Sequence, residues 1–178
     1  MKDGILASMN IHPALVHFPI ALLTVYAVLE LARFRFFVGR PYWFHLKAAF
    51  LLLGLAGALL ARQTGEFVAE QIDRNAPVFA IIEKHALFAN LTGLIFGVLG
   101  LAYFMVLFER EAWLPNIRAK FPRVVGFANE FLASPVAPLV ALAGLLAVTI
   151  TGALGGAMVY GPNTDPVVSF VYQLLIGQ

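Results

Sequence analysis

Four apolar stretches, each long enough to cross a bilayer as a helix, decide what this 178-residue chain can become. A helix needs about 20 apolar residues to traverse a hydrocarbon core about 30 Å thick, and it satisfies its own backbone polar groups while doing so. Spans are predicted at 13–31, 42–61, 85–108 and 136–160. The third begins earlier as a helix, because Asp73-Arg74-Asn75-Ala76-Pro77 supplies a polar start and a proline suited to a first turn. Composition agrees. The chain is 61% hydrophobic and 12% charged, whereas soluble domains run at roughly 45–50% and about 25%. The predicted fold is all-α: an integral membrane four-helix bundle forming a single membrane domain over 1–178, with the lipid bilayer as its surroundings.

An even number of crossings puts both termini on one side. Basic residues set which side. Arg33, Arg35, Arg40 and Lys47 fall at the first connection, and Arg110, Arg118, Lys120 and Arg123 at the third. These make eight of the twelve Lys and Arg, against Lys2, Arg62, Arg74 and Lys84 opposite. Positive-inside reasoning places the two basic connections in the cytoplasm and both termini outside, periplasmic in a bacterial inner membrane. The basic residues lie between apolar runs, so nucleic-acid binding has no footprint. With no cysteine in the chain, thiolate metal sites and covalent c-type haem attachment are excluded. No small-residue cleavage site follows the first apolar stretch, so a removable signal peptide is not expected.

Two further segments have helical period without the length to span: 121–132, read as an interfacial amphipathic segment, and the tail 166–175. Gly54 and Gly57 in the second span, Gly93, Gly97 and Gly100 in the third and Gly144 in the fourth suit close helix packing, and Gly93 and Gly97 form a Gly-x-x-x-Gly step. Glycine- and alanine-rich helices also leave room for a flat cofactor.

Polar residues sort to the outer ends of the spans. His12 and His17 flank the start of the first. Arg62, Thr64, Gly65 and Glu66 close the second, Glu83, Lys84 and His85 open the third, and Thr149, Thr151 and Tyr160 lie in the latter half of the fourth. His45 is the exception, beside Tyr42 and Trp43 in an aromatic belt at the opposite end. Ionisable residues at membrane depth usually face the bundle interior and mark function. Neutral imidazole ligates haem iron, Zn, Cu or Fe. His17 and His85 are therefore the expected cofactor-binding pair, holding a b-type haem between the first and third spans. His12, His17, His85 and Glu66 are the candidate set for a metal ion. Met9, Met105 and Met158 are thioether alternatives for one axial position. The plainer reading leaves the histidines bonded to backbone carbonyls or water, pairs Arg62 with Glu66 at i,i+4, and returns the threonine hydroxyls to the preceding turn.

The opening His12-Pro13-Ala14-Leu15-Val16-His17-Phe18-Pro19, with Thr64-Gly65, His85 and the run Thr151 to Tyr160, resembles the bacterial membrane-protein family catalogued as domain of unknown function 2231. The family's marked positions fall on His12, His17, Thr64, Gly65, His85, Thr151, Gly155 and Gly156. A further histidine common in relatives after the tyrosine is absent from Gly161-Pro162-Asn163-Thr164-Asp165-Pro166. Some relatives are joined to cytochrome c-like domains, which implies a membrane electron-transfer setting, with a quinone, a periplasmic cytochrome or other membrane subunits as partners. Three functions follow as expectations. The first is a haem- or metal-binding electron-transfer component, the second a cofactor-free structural or assembly subunit, and the third a small-molecule or ion transporter. No hydrolytic or transferase constellation is present, and enzyme status stays open.

Overall fold

A computed structural model describes residues 2–32, 40–111 and 116–177, with side chains from residue 11 onward except at 41. Arg33 and Arg35, and the side chains of Lys2 and Met9, lie outside the described residues. The elements are α1 (Lys2–Leu31), α2 (Pro41–Ala69), α3 (Phe79–Arg110), α4 (Ile117–Lys120), α5 (Pro122–Ala133), α6 (Val136–Tyr160) and α7 (Pro166–Leu175).

Four of these helices are long and apolar enough to cross a membrane: Ile11–Leu31, Tyr42–Ala69, Phe79–Arg110 and Val136–Tyr160. They pack as a closed ring in which α1 touches α2 and α6, and α3 touches α2 and α6. α1 and α3 therefore lie on one diagonal. The end carrying the start of α1 and the finish of α6 is termed the terminal end, and the other the loop end.

Helix lengths depart from the apolar windows for local reasons. α2 runs on to Ala69, past the expected limit at 61, because Glu66, Phe67, Val68 and Ala69 carry no breaker and Arg62 Nε donates to Glu66 Oε1 at 2.7 Å. α1 continues through Pro13 and Pro19 as one helix, although each proline removes an i→i−4 bond. α7 starts where Asp165 accepts from the amides of Val167 (2.8 Å) and Val168 (3.0 Å), with Pro166 in the first turn. It closes over α6 through Val168 and Val171, in a cluster with Ile81 and Leu154. α5 seals the loop end of α3, with Ala128 against Ala102 and Val106.

The bundle core holds Leu23, Tyr26, Leu51, Phe96, Leu99, Tyr103, Ala141 and Val148. Glycines let it close. A Cβ on Gly54 would meet Leu23 Cδ2 at 2.8 Å, one on Gly57 would meet Phe18 Cδ1 at 2.9 Å, and one on Gly144 would meet Phe96 Cζ at 2.7 Å. Gly100 is likewise covered by Leu55. Among the described residues, side chains thus fill the gaps at Gly54, Gly57, Gly100 and Gly144, where the sequence suggested room for a flat cofactor. The Gly93–Gly97 step faces outward, where nothing lies within 4 Å of either added Cβ. Large apolar side chains such as Leu59, Leu94, Leu101, Leu139 and Phe127 cover the outside. Water would not tolerate so continuous a band, whereas lipid does.

Candidate functional site

The site grows from the wheel of α1. At 100° per residue, His12, Pro19, Leu23, Tyr26 and Glu30 fall within about 40° of His12. Of these, Pro19, Leu23, Tyr26 and Glu30 are buried. His12 continues this inward stripe at the terminal end. His17 sits about 140° away, with exposed Ala14, Ala21 and Val28 on the outward side. Its Nδ1 bonds the Pro13 carbonyl of its own helix.

His12 Nδ1 lies 2.9 Å from Thr64 Oγ1. Thr64 donates its one proton to the Ala61 carbonyl (2.9 Å) or the Leu60 carbonyl (3.3 Å), so its oxygen accepts and His12 carries the Nδ1 proton. The ring lies over Gly65, where an added Cβ would stand 2.9 Å from His12 Cε1. His85 repeats the arrangement on α6. Its Nδ1 donates to the Thr151 carbonyl at 3.0 Å, and an added Cβ on Gly155 would lie 3.5 Å from its Cε1. Each histidine therefore has one threonine partner, and at Gly65 the missing side chain makes room for the His12 ring. In both rings Nδ1 is the nitrogen engaged by these bonds. The two imidazoles are half-buried and close enough to act on each other electrostatically. Deeper in the bundle, Thr92 and Thr151 place their hydroxyls 3.3 Å apart between α3 and α6, each also bonded to the preceding turn.

The expected partner of His85 was His17; the ring that stands near His85 is that of His12. The wheel explains the exchange, since five residues of helix carry His17 to the outside. The metal set of His12, His17, His85 and Glu66 is not assembled either. Among the described residues no three His, Cys, Asp or Glu come together as a metal-holding group. Glu66 is turned outward and bound to Arg62, each side chain 58% exposed. Thr149 returns its hydroxyl to Leu145. Glu83 and Lys84 are exposed. Met158 packs among α6 and α7 side chains, and Met105 lies at the loop end beside α5. His45 Nε2 meets Glu111 Oε1 at 2.7 Å and ties α2 to the end of α3.

A second polar group, which the sequence reading passed over, sits at the loop end on the same α1 stripe. Glu30 is 1% exposed. Its Oε2 receives Lys47 Nζ at 3.0 Å and the Tyr103 hydroxyl at 2.6 Å. Lys47 also lies 5.7 Å from the Tyr103 ring centre. The signal was available: Glu30 is the one carboxylate inside the first apolar window, five turns from His12 and on its face.

Four membrane-length helices in a closed ring, with the ionisable groups near its two ends, define a polytopic membrane bundle. The chain belongs to the DUF2231 family, described as predicted membrane protein, whose match covers residues 8–164. No curated protein and no solved structure gives a significant match.

Proposed function

We propose that the chain is a haem-ligating component of a membrane electron-transfer assembly, in which His12 and His85 would hold the haem iron. One observation carries this reading: both imidazoles engage Nδ1 with a protein acceptor, which would leave Nε2 for the iron. Ligating histidines are usually held in this way, through the ring nitrogen that does not touch the metal. Ligand count favours haem over a bare ion. Two imidazoles leave a zinc ion two ligands short of its usual four, whereas the porphyrin supplies four donors and needs only axial partners. Because side chains fill the gaps at Gly54, Gly57, Gly100 and Gly144, the donor pair would suit a haem at the terminal end of the bundle, not between its middle turns.

When bound, such a group would supply one-electron chemistry. The chain's own contribution is orientation: Thr64 and Thr151 engage the Nδ1 atoms, while Gly65 leaves the space in which the His12 ring lies. A quinone or a periplasmic cytochrome is the fitting redox partner for a site at that end, with both termini on the periplasmic side of a bacterial inner membrane. The filled core favours a second reading, a cofactor-free assembly subunit whose outer glycine step packs on a neighbour. Transport is a third alternative, with no observation that favours it.

Spectra of the detergent-purified protein, oxidised and reduced, test the proposal. Haem-replete wild type should show a reduced-haem band that His12→Ala and His85→Ala each abolish or shift, and that His17→Ala leaves intact. Loss in His17→Ala with retention in His12→Ala would restore the other pair. No visible absorption in wild type would favour the assembly-subunit reading.

A further inference from the structure

The Glu30 cluster contains an unexplained atom. Tyr26 is wholly buried, and its hydroxyl is the one buried side-chain polar atom without a hydrogen-bond partner among the described residues. It stands beside the Glu30 carboxylate and the Tyr103 hydroxyl, within interaction reach of both yet outside the geometry of a formed hydrogen bond, and its ring meets that of Tyr103 edge-on at 5.7 Å. A buried hydroxyl left unpaired is costly, and native structures rarely keep one without a reason. Lys47 is the opposite case. It is the one member of the cluster with a route out, 14% exposed at the side chain, two turns from the start of α2, on a stem long enough to carry its ammonium toward the headgroups.

We propose that Glu30, Tyr26 and Tyr103 form a proton-binding site at the loop end of the bundle, with Lys47 as the tethered cation that occupies it when the proton is absent. In the observed arrangement the carboxylate is neutralised by Lys47 and by the donated Tyr103 hydroxyl. In the second arrangement a proton from the aqueous phase at the loop end binds Glu30, and Lys47 withdraws toward the headgroups with its charge. The reaction balances: carboxylate, paired ammonium and one proton become a neutral acid and a solvated ammonium. The acid O–H then donates to Tyr26 Oη, the atom that otherwise lacks a partner, while Tyr103 continues to donate to the acid carbonyl. A further cation on α3, Arg110, lies over the Phe44 ring that stacks on Tyr103. Among the described residues, α2 presents Lys47, α3 presents Tyr103 and α1 presents Tyr26, while α6 adds only Ala137 and Ala141 to the surrounding core. The site stands about 27 Å along α1 from His12 and does not depend on any cofactor there.

Infrared difference spectra of the full chain in lipid nanodiscs, cycled between alkaline and acidic buffer, test this. A carboxylic-acid C=O band should appear on acidification, vanish on return and be missing from Glu30→Gln. In Tyr26→Phe the band should move to higher frequency, because the acid O–H has lost its acceptor. In Lys47→Met the band should persist in alkaline buffer, since the competing cation is gone. Should Glu30→Gln fail to insert, Glu30→Asp assigns the band by shifting it. A wild type with no reversible Glu30 band while its helical circular dichroism stays unchanged would make the ion pair a permanent lock and overturn the proposal. A band indifferent to Tyr26→Phe would overturn it as well.

Discussion

His12 and His17 are separated by five residues and by the thickness of a helix. The first donates to Thr64 on α2; the second bonds only its own backbone. Side chains of the same type thus acquire different chemistry from 140° of rotation, about what five residues of α-helix impose. Gly65 and Gly155 make the same point through space. A methyl on Gly65 would stand 2.9 Å from His12 Cε1, whereas one on Gly155 would stand 3.5 Å from His85 Cε1, an ordinary contact. Gly65→Ala should therefore displace the His12 ring and break its bond to Thr64, lowering stability by about 1–3 kcal/mol. Gly155→Ala should stay within about 0.5 kcal/mol of wild type. Thermal unfolding in detergent measures both, and equal losses would show that Gly65 does not position the ring. Thr64→Val, which keeps shape but removes the acceptor, should cost about 1–2 kcal/mol by the same measurement.

At the scale of the helices, the glycines separate into two kinds that look alike in sequence. Gly144 receives the end of the Phe96 ring, with Cζ, Cε2 and Cε1 all within 3.0 Å of an added Cβ. Phe96 is fully buried and has nowhere to swing, so Gly144→Ala should lower stability by about 1–3 kcal/mol. Gly97 meets nothing, and Gly97→Ala should be neutral or stabilise by up to about 1 kcal/mol through helix propensity. Unfolding of the two variants in dilute detergent decides this. A loss in Gly97→Ala equal to that in Gly144→Ala would mean that the outer step packs on another helix. The Gly-x-x-x-Gly pattern was legible, but its direction was not, because a spacing of four says that two glycines share a face and not which neighbour that face meets.

For the molecule as a whole, the loop-end charges need recounting. Lys47 points into the bundle to Glu30 and no longer counts among the connection charges, which leaves seven basic residues at the loop end against four opposite. The bias survives. In intact cells Lys84→Cys should react with an impermeant thiol reagent and Lys120→Cys only after permeabilisation. The reverse pattern would invert the molecule and move the imidazole pair to the cytoplasmic face.

Sequence alone sufficed for the existence of the helices and the membrane as their solvent, and it placed the four histidines near the helix ends. These follow from local quantities: the length of an apolar run and the position of a residue along it. Which side of each helix turns inward was not legible. In a soluble helix the contrast between a polar and an apolar face reveals the core side. Here lipid is as apolar as the interior, so Val28 on the outside and Leu23 on the inside read alike. Rotation about the helix axis was set only by packing, through Gly54 against Leu23 and Gly57 against Phe18 and Pro19. That rotation brought His12 inward and turned His17 out, and it carried Glu30 to Lys47 and Tyr103 at the far end of the same stripe.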